Sequence, residues 1–240
     1  MGRGKEEDVM ERIKRYFATW SVFELVWVAI SSAVAVGLTI GTESDFFGFL
    51  TFLSGVLCVV FIAKGSLISF WLGYFNILSY AWIAWQSGLF GEVGLNILFF
   101  LPINIVGHVL WHRNIQSHGV LEIRRMRWQS ILASLLFGLV GTLLLGWGLS
   151  CIGGQQTPYL DALTNVMSIV AFILMSLRYR EQWIYWIVLD LFTVTMWGIR
   201  WYHGTPQAAL MVMMWGTYLG NGVFGWLKWS KEATVSAVKN

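Results

Sequence analysis

Charge is what this chain has least of: 12% of its 240 residues are Asp, Glu, Lys or Arg, against about 25% in a soluble domain. So small a polar complement cannot clothe a globule in water, which excludes an ordinary soluble protein. Cysteine is nearly absent. Cys58 and Cys151 lie in or beside apolar runs, fit no metal-ligand spacing and read as small hydrophobes. Also missing are an ATP-binding motif, a segment long enough to be a soluble output domain, and the nucleophile–base pair or metal cluster that a membrane enzyme needs near one face. The net charge of +3 is read as an orientation signal and not as a nucleic-acid footprint.

What is present is apolar, and it comes in blocks of about twenty residues, the length a bilayer span requires. Hydrophobic residues make up 57% of the chain. The blocks are 20–40, 46–63, 66–86, 90–111, 129–150, 159–177, 183–201 and 206–227. The expectation is an all-α polytopic membrane protein with eight transmembrane helices. Pro158 and Pro206 stand at span starts, where a missing N–H costs nothing, and Pro102 should kink the fourth span. With residues 1–19 placed inside, fifteen of the sixteen Lys and Arg fall on the inner side, and only Arg200 lies near an outer end. This obeys the positive-inside rule and puts both termini in the cytoplasm. Residues 20–40 start like a signal peptide and contain Ala33-Val34-Ala35. The acidic Glu6, Glu7, Asp8 and Glu11 ahead of them, and the apolar run on to Ile40, favour a retained span. Residues 5–19 place Val9, Ile13, Tyr16 and Phe17 on one face, as a short amphipathic helix at the inner surface would.

Spans two to four resemble spans six to eight. Ser54 aligns with Ser168, Lys64 with Arg178, Trp71 with Tyr185 and Asn76 with Asp190, without a gap. Later, Asn104, Gly107 and Trp111 parallel Asn221, Gly225 and Trp229 with a small indel. Two three-helix units separated by one span share an orientation, giving a parallel repeat with its substrate near mid-membrane between the halves. The expected organisation is a cytoplasmic amphipathic segment (1–19), an extra N-terminal span (20–40), a first three-helix repeat (41–111), a cytoplasmic loop and linker span (112–150), a second repeat (151–228) and a cytoplasmic tail (229–240).

Polar groups inside spans are costly and usually face the protein interior. Asp190 is the most informative, because an ionised Asp at a span centre costs roughly 2.5–3.5 kcal/mol. Trp183, Trp186 and Asp190 share one helix face, and two indoles beneath a carboxylate suit a flat cation. Asn76, Asn104 and Asn221 are buried amides able to pair with a ligand amide or hydroxyl, or equally to glue helices together. Trp82, Gln86, Trp111, Tyr218, Trp215 and Asp161 are lesser candidates along a substrate pathway, and Asp161 also suits a helix cap. His108 and His112 are four apart but lack a third ligand, so no metal and no cofactor is expected.

Ordered along the chain, several stretches resemble the PnuC family of vitamin transporters. They are Gly73 with Phe75-Asn76; Ile103-Asn104-Ile105-Val106-Gly107 with Trp111; Pro158-Tyr159 with Asp161; Tyr179-Arg180-Glu181-Gln182-Trp183 with Trp186 and Asp190; and Asn221-Gly222. The resemblance spans roughly residues 46–230. It implies a three-plus-one-plus-three helix arrangement like that of the SWEET sugar transporters, preceded by an N-terminal span that many members lack. It also implies uptake of nicotinamide riboside across a bacterial inner (cytoplasmic) membrane by facilitated diffusion, with a cytosolic ribosylnicotinamide kinase trapping the vitamin, and a homotrimer as a plausible assembly. Asp190 stands where the family pattern leads one to expect Asn. That leaves other flat vitamins, thiamine or riboflavin, as alternatives. A proton-coupled carrier and a non-transporting receptor are the remaining readings.

Overall fold

The computed structural model describes residues 20–41, 46–86, 90–151, 158–204 and 208–239. The proposed amphipathic helix at 5–19 and Pro206 lie outside them. The elements are α1 (Val22–Gly41), α2 (Phe46–Ala63), α3 (Ile68–Gln86), α4 (Phe90–Leu95), a π turn (Asn96–Phe100), α5 (Leu101–His118), α6 (Trp128–Ser150), α7 (Pro158–Ser176), α8 (Gln182–Tyr202) and α9 (Ala208–Lys239). Since α4, the π turn and α5 run on as one rod, the described residues form eight helical segments, one for each apolar block, and contain no strand. Val93–His118, Trp128–Ser150 and Pro158–Ser176 are long and apolar enough to cross a bilayer, and Glu24–Val34 and Phe47–Ala63 are shorter apolar stretches. Helices α3, α8 and α9 carry the inward-facing Asn76, Asp190 and Asn221.

Pro102 is absorbed without a break. A proline inside a helix clashes with the carbonyl four residues back. Here the preceding turn is a π turn, in which Leu101 N–H reaches Asn96 O, so the ladder is re-phased just before the ring enters. Helix α1 opens with a capping box. Glu24 N–H donates to Ser21 Oγ at 3.2 Å and Ser21 N–H to Glu24 Oε2 at 2.8 Å. The same buried carboxylate takes Lys64 Nζ at 2.9 Å and Lys228 Nζ at 3.2 Å.

Packing contacts close a ring of six helices in the order α2, α3, α5, α7, α8, α9 and back to α2. On the repeat expected from the sequence, the second half of the ring answers the first, with α2 corresponding to α7, α3 to α8 and α5 to α9. Outside the ring, α1 packs on α2 as α6 packs on α7, and α1 also touches α9. Helix α6 turns Leu135, Leu136, Leu143, Leu144 and Trp147 outward, each more than half exposed, a surface that suits lipid.

The turns joining α2 to α3 and α7 to α8 end their helices identically. Ser66 N–H reaches Phe61 O and Gly65 N–H reaches Ile62 O; Tyr179 N–H reaches Leu174 O and Arg178 N–H reaches Met175 O. Gly65 (φ 67°) and Arg178 (φ 65°) hold the left-handed position of this Schellman motif. The equivalence is therefore one residue away from the alignment of Lys64 with Arg178. It pairs Ser69 with Gln182, Phe70 with Trp183, and Ile77, in place of Asn76, with Asp190. At this basic end, residues 122–126 strap the second turn: Arg124 N–H bonds Arg178 O at 2.8 Å, Arg180 N–H bonds Arg124 O at 3.0 Å, and Met126 N–H bonds Glu181 Oε2 at 3.0 Å.

Candidate substrate cavity and its aromatic seal

Inside the ring lies a cavity of about 280 Å³, near the lower end of the size range of small-molecule sites. Helix α2 lines it with Gly55, Cys58, Val59 and Ile62; α3 with Asn76; α7 with Ser168, Phe172 and Met175; α8 with Gln182, Trp183, Trp186, Leu189 and Asp190; α9 with Trp215, Tyr218 and Gly222. Its charged lining residue is Asp190, 3% exposed, and among the described residues its carboxylate meets no hydrogen-bond partner. No Lys or Arg lines the cavity.

One wall depends on Gly55. A Cβ there would lie 3.0 Å from Asn76 Nδ2 and 3.4 Å from the Tyr218 hydroxyl, so its absence lets α3 and α9 bring both polar groups over α2. Asn76 is pinned by that approach: its Nδ2 donates to Thr51 O at 2.7 Å and lies 3.4 Å from Ser54 Oγ. Cys58 Sγ donates to Ser69 O at 3.2 Å, while Cys151 is exposed at the far end of α6.

Below the cavity, at the basic end, four rings close the ring of helices. Phe70 meets Trp111 edge-on at 5.0 Å, Trp111 meets Trp229 at 5.9 Å and Trp229 meets Trp183 edge-on at 5.7 Å. Each tryptophan at the end of a repeat bonds into the other repeat. Trp111 Nε1 donates to Met175 O and Trp229 Nε1 to Ala63 O, both at 3.1 Å. Close packing here needs two glycines, because a Cβ at Gly107 would meet Phe70 and one at Gly225 would meet Trp183. On the opposite side a larger cleft of about 930 Å³ adjoins the cavity, sharing Ser168, Leu189 and Trp215 with it. The cavity thus has an aromatic floor at the basic end and a neighbouring cleft at the other.

Of the expected site residues, Trp183, Trp186, Asp190, Asn76, Trp215 and Tyr218 come together in the cavity. Asn104 does not line it: its amide donates to Phe70 O at 3.2 Å, so it binds helix to helix. Trp111 belongs to the seal. Asn221 is buried at 3%, with Nδ2 unpartnered, beside the lining residue Gly222. Trp82, 56% exposed, and the exposed Gln86 line neither space. The side chain of Asp161 is outside the described residues. His108 is engaged by the Tyr74 hydroxyl at 3.0 Å and stacks on Phe70. Gln182 was not singled out from the sequence, yet it is fully buried in the cavity wall with neither side-chain polar atom partnered.

A family model described as nicotinamide mononucleotide transporter matches residues 45–231. The chain belongs to the PnuC family. It is 30% identical over 226 residues to a nicotinamide riboside transporter PnuC of Neisseria mucosa, covering 91% of this chain and 84% of that one. Against a Haemophilus influenzae protein of the same name it is 30% identical, covering 92% of this chain and 95% of that one. A solved structure described as the vitamin B3 transporter PnuC superposes with a TM-score of 0.75 at 29% identity, covering 91% of this chain and 95% of that chain. Membership makes the protein a multi-pass membrane transporter and not an enzyme.

Proposed function

We propose that this PnuC-family chain carries nicotinamide riboside into the cell by facilitated diffusion, with direction supplied by a cytosolic ribosylnicotinamide kinase that phosphorylates the vitamin and traps it. The observation that carries the substrate reading is the pairing of Trp183 and Trp186 with a carboxylate, Asp190, that no protein cation neutralises. A pyridinium ring is flat and cationic. Indole faces contribute about 0.5–2 kcal/mol each to such a ring, and a nearby carboxylate is completed by its charge. The family model and the named relatives differ on whether the substrate carries phosphate. A cavity with one acid and no Lys or Arg repels phosphate, which supports the riboside and argues against the mononucleotide.

The transporter crosses a bacterial inner membrane eight times with both termini in the cytoplasm, in the three-plus-one-plus-three arrangement with α1 added. This reading is supported by the basic residues gathered at the end bearing the Gly65 and Arg178 turns, and by the closed six-helix ring. In that orientation the aromatic seal faces the cytoplasm and the larger cleft faces outside. A homotrimer is the assembly we expect.

The test is equilibrium binding to the purified full-length protein, followed by tryptophan fluorescence, with nicotinamide mononucleotide, thiamine and riboflavin as comparators. Saturable binding of the riboside at micromolar concentration or tighter, without binding of the mononucleotide, is the expected result. Tighter binding of thiamine or riboflavin would move the substrate, and binding of none by folded protein would refute the vitamin reading. Proteoliposomes then show uphill accumulation only when kinase and ATP are enclosed; accumulation driven by a proton gradient alone would replace facilitated diffusion with coupling.

A further inference from the structure

The two turns at the basic end are tied down by different kinds of bond. The turn at Arg178 is held by main chain: it exchanges two backbone hydrogen bonds with Arg124, and the buried Glu181 beside it takes Met126 N–H. The strap that makes these bonds runs on from α5, where Asn114 Oδ1 accepts from Glu122 N–H at 2.8 Å. A covalent segment, hydrogen-bonded at both ends, thus spans the seam between α5 and α7. The turn at Gly65 is held otherwise. Among the described residues its backbone bonds are all local, and side chains make its ties to the rest. Trp229 Nε1 reaches Ala63 O, Leu121 packs against Gly65, and Lys64 reaches Glu24. Glu24 belongs to α1, which lies over the seam between α2 and α9 and touches both. Its carboxylate takes Lys64 on one side and Lys228 on the other. These lysines are the chain neighbours of Ala63 and Trp229, so the ion cluster backs the indole bond across that seam. Leu177 precedes Arg178 as Lys64 precedes Gly65, and Leu110 precedes Trp111 as Lys228 precedes Trp229. The seam between α5 and α7 has no lysine at those positions.

We propose that the Gly65 turn is the moving part of a gate at the basic end, that the strapped seam between α5 and α7 is its hinge, and that Glu24 is the latch holding the turn to α9 while the gate is shut. The proposal rests on the transport reading above, in which the aromatic floor must part. A buried ion pair is a poor latch when opening strands one charge in a dry site. Glu24 avoids this because it has two partners. It can release one lysine and stay neutralised by the other. The exposures say which one leaves. The Lys228 side chain is 26% exposed and has water to enter, whereas that of Lys64 is 9% exposed and also lies over the Trp20 ring at 4.4 Å. Glu24, Lys64 and α1 then move as one body with the Gly65 turn, away from Lys228 and Trp229 on α9. The strap stays behind with the Arg178 turn, because leaving it would break main-chain bonds.

Cys58 lines the cavity and reports the gate without any substrate. A polar thiol reagent is offered to the full-length chain, carrying Cys151→Ser, in inverted and in right-side-out membrane vesicles. Glu24→Gln keeps the side chain's shape and removes its charge. Labelling of Cys58 from the basic side should rise about fivefold or more as the open population grows, and labelling from the other side should not change. Ser21→Ala removes the acceptor of the α1 cap and spares the ion pairs, so it should alter neither rate. A rise from both sides, which is general loosening, or no rise from the basic side overturns the latch. The hinge is tested by riboside uptake into proteoliposomes after cysteine pairs are joined with a short bifunctional maleimide. Ser66→Cys with Lys231→Cys bridges the latched seam and should cut uptake by about tenfold or more, as locking a rate-setting motion does. Arg113→Cys with Leu177→Cys bridges the strapped seam and should leave about half of the uptake or more. Loss with both pairs or with neither overturns the assignment of gate and hinge, and these pairs decide even if Glu24→Gln does not fold. Unjoined protein that takes up no riboside refutes the transport reading instead, and the labelling of Cys58 still judges the latch.

Discussion

The two halves of the six-helix ring share a backbone plan and differ in where their polar groups go. In α3, Ser69 donates to Ser66 O at 2.7 Å, Asn76 to Thr51 O at 2.7 Å, and Phe70 has no polar atom. At the matching points of α8, Gln182 and Trp183 leave their side-chain nitrogens and oxygen unpartnered, and Asp190, one residue past the match of Asn76, is buried at 3%. In α3 these side chains are satisfied within the first half; at the start of α8 they are not. A duplicated architecture can therefore keep its packing symmetric while its recognition becomes one-sided.

The largest effect expected from breaking this difference is at Asp190. Asp190→Asn should weaken riboside binding by about ten- to a hundredfold, equivalent to roughly 1.4–2.7 kcal/mol, while leaving the melting temperature unchanged or higher, since a buried acid without a hydrogen-bond partner is removed. Asn76→Ala should do the reverse, lowering the melting temperature with an affinity loss of about three- to fivefold. Equal affinity losses would erase the proposed division. Next come the two glycines under the aromatic floor. A Cβ at Gly225 would lie 2.5 Å from Trp183 Cε2, and one at Gly107 would lie 2.9 Å from Phe70 Cε1. Both alanine variants should lose about 1–3 kcal/mol of stability through overpacking. Only Gly225→Ala should also cost affinity, because it displaces a ring that touches the cavity; thermal melts with and without riboside separate the two. The smallest difference between the halves belongs to the seal. Trp111→Phe and Trp229→Phe each remove one hydrogen bond and leave a cavity where a fully buried indole stood, together costing a few kcal/mol, and here the halves should match. A clear inequality in melting temperature would show that the seal is as one-sided as the site.

How far the sequence could be read followed from how each residue makes its contacts. The eight helical segments were legible because apolar blocks alternate with short polar breaks. Trp183, Trp186 and Asp190 were legible because one helix's periodicity places them together. Asn104 was not: whether a buried amide faces a ligand or a neighbour's carbonyl depends on a close approach of α3 and α5 that no single-helix pattern encodes. Gln182 enters the sequence reading only as part of the family motif and not as a site residue, because it stands at the boundary between a basic turn and an apolar span, where a glutamine looks like solvated punctuation. The strap from 122–126 across the second turn, which buries that boundary, involves residues more than fifty positions away. The register read from the sequence runs without a gap from Ser54 and Ser168 and pairs Lys64 with Arg178, whereas the two turns match Gly65 to Arg178 by conformation. Trp82, expected along a substrate pathway, is 56% exposed, and its exposure follows from the packing of α3 against its neighbours.

The pairing of α1 on α2 with α6 on α7 changes how the chain is counted. With the eight crossings proposed above, a unit of four returns the polypeptide to the side it left, so a second copy fused directly behind it repeats the first's orientation with no connector. A unit of three reverses sides and needs an added crossing before its copy can run parallel. On the proposed repeat, grouping by these contacts makes two even units in tandem, with the helix between the repeats as the opening member of the second unit and α1 as its sibling in the first.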